Sequence, residues 1–375
     1  MQFMHRTRLE AALLAMIAFA AFVSIPGPQC LSGGAAHASE DPFYKGKRIN
    51  LLINYAAGGP TDIEGRLFAR FLSRHIDGQP SIIVQNMDGA GGLIGTNYLG
   101  EVAPRDGTAV GYLSGATWRY IHDRTPRRVD FKSFEFLAYQ PGTTVYFARS
   151  DIKPGLKVAT DIVKAQGVIS GGLGADNAKD LLLRLTLDML GVKYKYVTGY
   201  RGSQAARLAL QQGEINYYAE SPPSYRGMIE PTLVRSGEVI PIFYDPSYDG
   251  ETFRTPRQMQ GVDMMSFPTL YETIHGRAPS GELWDVYRSI IAVNGAMQRL
   301  IVMPPEAPPE AIRALSYAID RLNADADYAQ EGERLLGYVP EFIVGPEVNG
   351  RVRRQLSISP STRDFLEAYV KNAPR

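Results

Sequence analysis

Cysteine is almost absent from this chain, and its absence excludes two common ways of holding a small structure together. The only cysteine is Cys30, which lies in an N-terminal segment that we expect to be removed. A mature chain without cysteine has neither disulfides nor thiolate metal ligands, so its stability must come from a hydrophobic core. Hydrophobic residues make up 45% of the sequence, which is enough to build such a core.

Signatures of metal binding and catalysis are missing as well. The histidines beyond the N-terminal segment are His75, His122 and His275, and none of them pairs with another His or a Cys at metal-ligand spacing. The sequence contains no Gly-x-Ser-x-Gly elbow and no nucleophile that can be matched to a nearby His, which argues against an exported hydrolase. We therefore expect no catalytic residue, no metal and no cofactor.

Neither sign of charge is in excess, because the formal net charge is +1. Nothing in this balance points to nucleic acid or to a polybasic membrane surface as a partner. The length of 375 residues allows two domains of ordinary size.

No long apolar run is present either, and the longest one has the features of a leader. It extends from Ala11 to Ile25, is broken only by Ser24, and follows the basic residues Arg6 and Arg8. The sequence Ala36-His37-Ala38 then fits the small-x-small cleavage pattern. We interpret residues 1–38 as a secretory signal peptide cleaved after about Ala38, which predicts a periplasmic protein; a retained membrane anchor is the alternative.

What the mature chain does have is a repeated alternation of apolar strands, turns and helices. The strands predicted from their apolar residues are Arg48–Tyr55, Ser81–Gln85, Thr108–Leu113, Thr143–Ala148, Val168–Ser170, Tyr194–Val197, Glu214–Ala219, Glu238–Tyr244, Ser289–Val293 and Arg299–Met303. The pattern predicts an α/β protein of two lobes, each an open, mostly parallel sheet flanked by helices. We place the first, discontinuous lobe at residues 39–140 and 288–375, and the second at 141–287.

Two glycine turns follow consecutive strands of the first lobe. One contains Gly58 and Gly59, and the other contains Gly89, Gly91 and Gly92. Glycine allows a close approach of the backbone to a ligand, and the helix that follows offers unpaired N–H groups with partial positive charge. The pair of turns predicts a pocket for a phosphate or a carboxylate, whereas the simpler interpretation is that they only connect elements.

The second turn does not match the dinucleotide-binding fingerprint. The sequence Gly89-Ala-Gly-Gly-Leu-Ile-Gly95 misses Gly-x-Gly-x-x-Gly by one position, and no acidic residue lies at the end of the next strand near Leu113. A nucleotide-binding oxidoreductase is therefore disfavoured.

The same two turns resemble a known family. Tyr55-Ala-Ala-Gly-Gly-Pro-Thr-Asp62, followed by Asn86-x-x-Gly89-Ala-Gly-Gly-x-Ile-Gly95, is similar to the extracytoplasmic solute receptors of tripartite tricarboxylate transporters, the Bug family. The resemblance implies a periplasmic-binding-protein (Venus flytrap) fold that closes on a small organic acid, and integral-membrane transporter subunits as partners. It implies a monomer that binds no nucleic acid.

The resemblance also implies a set of ligand-binding residues. First-lobe loops would hold a carboxylate through backbone amides, hydroxyls and ordered water, and second-lobe loops would set the specificity. The predicted ligand-binding residues are Tyr55, Ala57, Gly58, Gly59, Thr61, Asp62, Gly89, Ala90, Gly91, Gly92, Thr96 and Ser114 in the first lobe, and Ala175, Asn177, Tyr200, Arg201 and Glu220 in the second.

Several of these residues have a second interpretation. Asp62 would repel a ligand carboxylate and can instead cap a helix or fix its loop. Arg201 is either a solvated surface charge or the partner of a second carboxylate. Glu220 would suit an amino group or a hydroxyl. In the second lobe the chain departs from the family pattern, with Ala178-Lys179 in place of the His-Leu pair and no alignment over 245–268, so the acid itself is left open.

A signalling receptor that binds the same acid and contacts a sensor kinase has the same sequence features. The alternatives carried forward are therefore transport and signalling, with an exported hydrolase as the least favoured.

Overall fold

A computed structural model describes residues 41–122, 128–248 and 251–372 of the chain. The predicted signal peptide and its cleavage after about Ala38 lie outside these residues and stay predictions. Among the helices in the described ranges, none is both long enough and apolar enough to cross a bilayer.

Thirteen strands occur in the described residues. They are β1 Arg48–Ile53, β2 Ser81–Asn86, β3 Ala109–Ser114, β4 Glu135–Gln140, β5 Val145–Arg149, β6 Val168–Gly172, β7 Tyr194–Thr198, β8 Tyr217–Glu220, β9 Val239–Tyr244, β10 Ser247–Tyr248, β11 Phe253–Arg254, β12 Arg299–Met303 and β13 Ile343–Val344.

The helices alternate with the strands over most of the chain. The α-helices are α1 Pro60–Leu72, α2 Leu93–Glu101, α3 Ala116–His122, α4 Ala178–Met189, α5 Ser203–Gln211, α6 Pro222–Ser224, α7 Phe267–His275, α8 Glu282–Ile290, α9 Pro309–Asn323, α10 Ala326–Leu336, α11 Val348–Gln355 and α12 Pro360–Lys371. Short 3₁₀ segments occupy Ser73–His75, Ala90–Gly92, Phe131–Ser133, Ala159–Lys164 and Arg257–Met259, and wider π-type turns occupy Tyr225–Val234 and Ile291–Gly295.

The first sheet has six strands in the order β13-β4-β12-β3-β1-β2. Strand β1 runs parallel to both β2 and β3, as expected for βα units. Strand β12 returns from far along the chain and pairs antiparallel with β3 and β4. Because the parallel strands β1 and β3 lie side by side, their carboxyl ends and the turns that follow meet at one edge of the sheet.

The second sheet has five strands in the order β7-β6-β8-β5-β9. Its β6 is parallel to β7 and β8, whereas β5 is antiparallel to β8 and β9. The two-lobed α/β fold is thus confirmed, and both sheets are mixed rather than mostly parallel. Each antiparallel pair in these two sheets contains β5, which follows a crossing between the sheets, or β12 or β13, which come late in the sequence.

Two of the segments that carry the chain between the sheets lie next to each other. One joins β4 to β5, and the other leads from the turn at Ile291–Gly295 into β12. The N–H of Gly142 donates to the carbonyl of Gly295 at 2.8 Å, and the Gln298 amide donates to the carbonyl of Thr143 at 2.8 Å. These bonds make the paired crossings a narrow hinge.

The C-terminal helix packs against the second sheet although the sequence before it belongs with the first. Leu366 of α12 is fully buried in the cluster that contains Leu181 and Leu185 of α4, whereas Val352 of α11 is buried with the first sheet. The predicted lobe boundaries, with all of 288–375 in the first lobe, stay a prediction; within that range, Ile290 and Ile291, together with Leu366 of α12, are buried with the second sheet.

The predicted strand Ser289–Val293 is wrong, because these residues lie in α8 and in the turn that follows it. The apolar positions Trp284, Tyr287 and Ile291 recur at helical spacing and are buried in one cluster. A short apolar run looks the same in a strand and at the buried end of a helix, unless the residues before it are considered as well.

Candidate functional site

The two sheets face each other across an open cleft of about 890 Å³. Tyr55, Thr61 and Ser114 lie on the wall formed by the first sheet, and Asn177 and Arg201 lie on the wall formed by the second. The cleft is therefore at the carboxyl ends of β1 and β3, where the sequence predicted a ligand.

Most of the predicted residues are brought together here. The main part of the cleft is lined by Tyr55, Ala57, Gly59, Thr61, Ser114, Asn177 and Arg201. An adjoining part is lined by Gly89, Ala90, Gly91, Gly92 and Tyr200, and shares Tyr55, Asn177 and Arg201 with the first. The predicted residues outside both walls are Gly58, Asp62, Thr96, Ala175 and Glu220.

The first glycine turn is held in place by Asp62. The buried Asp62 carboxylate accepts hydrogen bonds from the N–H of Gly58 at 2.9 Å, from Arg66 Nε at 2.9 Å and from the Asn86 amide at 2.9 Å. Burial alone would raise the pKa of the Asp62 carboxyl, but the bonds from Arg66, Gly58 and Asn86 outweigh it and lower the pKa. The geometry thus agrees with the loop-fixing interpretation of Asp62.

The second glycine turn has an uncommon backbone. Gly89, Ala90, Gly91 and Gly92 all have positive φ, between 46° and 117°, a region that side chains larger than glycine disfavour. Tyr55 donates its hydroxyl to the carbonyl of Gly91 at 3.2 Å, so that the two turns are joined. The turn leads directly into α2, and the first N–H groups of a helix have no intrahelical acceptor.

Thr96 is used within its own helix rather than in the cleft. Its hydroxyl donates to the carbonyl of Gly92 at 2.9 Å. This bond satisfies a carbonyl of the glycine turn, so Thr96 supports the turn from behind.

A buried charged network lies beneath the first-sheet wall. Glu64 of α1 accepts hydrogen bonds from Arg299 Nε at 2.5 Å and from the hydroxyl of Tyr338 at 2.5 Å. Arg299 Nη1 donates to Ser114 Oγ at 3.0 Å. Because that oxygen already accepts from a guanidinium, the Ser114 hydroxyl hydrogen is left to donate, and Ser114 lies on the cleft wall.

On the second-sheet wall, side-chain hydrogen bonds fix the start of α4. Asn177 caps the helix and accepts from the N–H of Lys179 at 3.0 Å. Asp180 accepts from the N–H of Gly174 at 2.8 Å, and Arg184 donates to the carbonyl of Ala175 at 2.6 Å. The carbonyl of Ala175 is thus turned toward Arg184, which explains why Ala175 does not line the cleft.

Glu220 is fully buried at the end of β8. One of its carboxylate oxygens lies 3.5 Å from Arg207 Nη1. Burial raises the pKa of Glu220, although the nearby charges of Lys179 and Arg207 oppose that rise. Glu220 therefore belongs to the support of the wall.

Two residues of α3 connect the lobes at the cleft. Trp118 Nε1 donates to the carbonyl of Asp176 at 2.9 Å, and Arg119 forms an ion pair with the Asp176 carboxylate. Trp118 is buried in the core cluster of the second sheet although its helix follows β3 of the first. The described conformation thus has direct contacts between the lobes.

Sequence reasoning missed part of the lining. The missed residues include Trp118, Arg119, Thr144, Lys179, Ser203, Gln204, Asn294, Gln298 and Arg299. Arg299 begins the late-returning β12 and directly follows Gln298, and the pairing of Arg299 with Ser114 of β3 brings both to the cleft. A usable signal existed for Lys179, because it follows directly on the predicted residue Asn177.

The charge of the main part of the cleft is one-sided, whereas Asp88 and Asp176 line the adjoining part. In the main part of the cleft, the described lining residues include the basic side chains Arg119, Lys179, Arg201 and Arg299 but no Asp or Glu. Arg119 and Arg299 are paired with Asp176 and Glu64. Within the described ranges, Lys179 and Arg201 form no ion pair. The arrangement can hold an anion.

Comparisons with known sequences find relatives over part of the chain. No family model matches it. An Agrobacterium vitis protein, described as "UPF0065 protein in the TAR-I ttuE-ttuC' intergenic region", is 31% identical over 187 residues, which are 48% of this chain and 52% of that protein. BugT of Bordetella pertussis is 38% identical over 100 residues, which are 27% of this chain and 26% of BugT. The chain thus spans about half the length of the first relative and about a quarter of the second.

Solved structures share the fold over most of the chain. The periplasmic binding protein BugD superposes with a TM-score of 0.62 at 19% identity, covering 87% of this chain and 98% of BugD. An R. palustris protein with adipate gives a TM-score of 0.60 at 15% identity, covering 88% and 99% of the two chains. MatC of Rhodopseudomonas palustris with bound malate gives 0.58 at 17% identity, covering 86% and 99%. The sequence relatives are similar to part of this chain, and the solved structures share its two-lobed α/β fold.

Proposed function

We propose that the protein captures a small organic acid anion in the interlobe cleft and delivers it to the integral-membrane subunits of a tripartite tricarboxylate-type transporter. It would do so as a periplasmic monomer without catalytic activity. The ligand carboxylate would lie against the two glycine turns, with Thr61 and Ser114 as hydroxyl donors.

The one-sided charge of the cleft wall carries this proposal. A bound carboxylate loses its water and needs charge-assisted hydrogen bonds in return. The second glycine turn leads into α2, whose first N–H groups have no intrahelical acceptor, and the Ser114 hydroxyl is left to donate because its oxygen accepts from Arg299. An acceptor-only anion fits such donors better than a neutral or cationic solute does.

The structural neighbours give independent support for this class of ligand. Adipate and malate are both dicarboxylates, and each is bound by a protein that shares this fold. Their identity to this chain is below 20%, so they support the class of ligand rather than one acid.

Thermal unfolding of the exported protein against a panel of acids tests the proposal. The panel contains mono-, di- and tricarboxylates and acidic amino acids, with nucleotides as the comparison. An acid at a hundred times its dissociation constant should add about 2.7 kcal/mol of stability and raise the melting temperature. The proposal fails if no organic acid raises the melting temperature while a nucleotide does. A signalling receptor would bind the same acid, and unchanged acid uptake by cells that lack the protein would favour that role over transport.

A further inference from the structure

Lys179 places its ammonium group on the second-sheet wall, and not all of the N–H donors of that group are used in hydrogen bonds. Its ammonium donates to the hydroxyl of Tyr218 at 2.9 Å and to the carbonyl of Ala219 at 2.9 Å. An ammonium group has three N–H donors. Over the described ranges, the third has no acceptor, and Lys179 lines the main part of the cleft.

Lys179 forms no direct ion pair in the described part of the chain. The buried carboxylates of Glu220 and Asp180 are near enough to act on its charge, but Glu220 also lies 3.5 Å from Arg207, and Asp180 accepts from Gly174 and from Tyr196. Burial alone would lower the pKa of Lys179, but Tyr218, Glu220 and Asp180 outweigh it and raise the pKa. Lys179 therefore keeps its positive charge, and its ammonium offers the cleft one N–H donor that a bound anion can use.

The immediate surroundings of Lys179 fix where its charge points. The ammonium lies 4.3 Å from the centroid of the Tyr218 ring, and Tyr218 itself is fully buried in β8. The backbone of Lys179 is held by the cap bond to Asn177. By contrast, Arg201 is exposed at the cleft mouth, so its long side chain must lose more freedom to bind a ligand.

We propose that Lys179 is the specificity-determining residue that binds the second, remote anionic group of a two-headed acid. This inference rests on the proposed function, because the first-lobe turns and Ser114 would hold the other carboxylate. Those donors belong to the opposite wall of the cleft, so one ligand that engages both walls needs an anionic group at each end. Arg201 would add to the attraction at the mouth without setting the preference.

A matched pair of ligands isolates the second anionic group. Calorimetric titration of the exported protein would use succinate, glutarate, adipate and pimelate, each beside its own monoamide, which keeps the length but removes one charge. For the best-fitting length, the diacid should bind roughly ten- to a hundredfold more tightly than the monoamide, which is the range for a hydrogen bond between charged groups.

The Lys179→Met variant should remove this preference while affinity for the monoamide stays within about threefold. Lys179→Gln provides a second neutral side chain if the Met variant does not fold, and retained monoamide binding itself reports an intact cleft. Lys195→Met is the matched control, because Lys195 is exposed on the edge strand β7 and does not line the cleft. That variant should keep the full preference for the diacid.

The outcomes separate this inference from the proposed function. If the unmodified protein binds diacids and monoamides equally, or if Lys179→Met weakens both alike, Lys179 does not read a second anionic group although the protein still binds acids. If no acid or monoamide binds at all, the proposed function fails and the inference fails with it.

Discussion

At the scale of single residues, Gly91 is the position where one added side chain would alter the cleft most directly. Its φ is +62°, and a Cβ built there would lie 2.7 Å from the guanidinium carbon of Arg119. Gly191 is a matched control, since its φ is +70° but nothing lies within 4 Å of its Cβ position. We expect Gly91→Leu and Gly191→Leu to lose a similar stability, about 1–2 kcal/mol for a left-handed residue.

Only Gly91→Leu should lose ligand affinity, by at least roughly tenfold, because Arg119 must move and the turn must shift with it. Calorimetric titration with the acid identified by the thermal screen measures the affinity, and thermal unfolding measures the stability. Equal affinity of the two variants would remove the second glycine turn from the binding site.

A site residue could be predicted from the sequence only where the residues next to it in the chain indicate its position. The glycine turns follow their strands directly, so Gly59 and Gly91 could be predicted from neighbouring residues alone. Arg299 could not, because it reaches the cleft only through the pairing of β12 with β3, whose residues are far apart in the chain. Glu220 also lies at the end of a strand, which is why it was predicted to bind the ligand, but its side chain is fully buried behind the cleft wall.

At the scale of elements, the pair Glu64–Arg299 connects α1 to β12. Both side chains are 2% exposed, and Glu64 accepts from Tyr338 as well. Replacing Glu64 by Gln keeps the shape but leaves the buried guanidinium without its counter-charge. We expect this change to cost about 3–5 kcal/mol of unfolding free energy.

Urea denaturation compares this variant with a surface control. Asp327→Asn breaks the exposed contact with Arg74, whose atoms lie 3.4 Å apart, and should change stability by less than about 0.5 kcal/mol. Adding Arg299→Met to Glu64→Gln should recover part of the loss, since no unpaired charge then stays buried. A loss in Glu64→Gln no larger than that in Asp327→Asn would show that the network does not hold α1 in place.

Element prediction worked where strands and helices alternate regularly and failed where they do not. The strands around Arg48–Ile53 and Tyr194–Thr198 were predicted to within about two residues of their ends. Strand β4 was missed because its residues Glu135–Gln140 follow a charged connection and pair only with β12 and β13, which come much later in the chain. Pairing with strands so far along the chain produces no recognisable residue pattern within the strand itself.

At the scale of the whole molecule, a buried acid, Asp245, lies beside the hinge. Its carboxylate accepts from the hydroxyl of Tyr146 at 2.8 Å and from the hydroxyl of Tyr287 at 2.8 Å, and its N–H donates to the carbonyl of Thr144 at 2.9 Å. These partners come from β5, from α8 and from the first crossing segment. Asp245 thus joins three elements beside the point where the chain passes between the sheets.

Burial raises the pKa of Asp245 from 3.8 to about 7, and the bonds from Tyr287, Tyr146 and Thr144 offset only part of that rise. The folded state therefore binds a proton that the unfolded chain releases once the pH exceeds about 4. Between about pH 4 and pH 7 the unfolded state binds fewer protons, so unfolding free energy must fall as the pH rises. A pKa change of this size corresponds to a loss of at most about 4 kcal/mol, complete above the folded-state pKa.

Denaturation of the protein and of Asp245→Asn across this pH range checks the argument. The amide has nearly the same shape but does not ionise, so the variant should lose less stability between about pH 4 and pH 7, the interval between the two pKa values. A smaller slope should survive in the variant, because burial also raises the pKa of Asp180 and Glu220. Parallel curves for the two proteins would mean that Asp245 keeps its charge in the folded state. Water reaching the crossing segments would then be the physical reason.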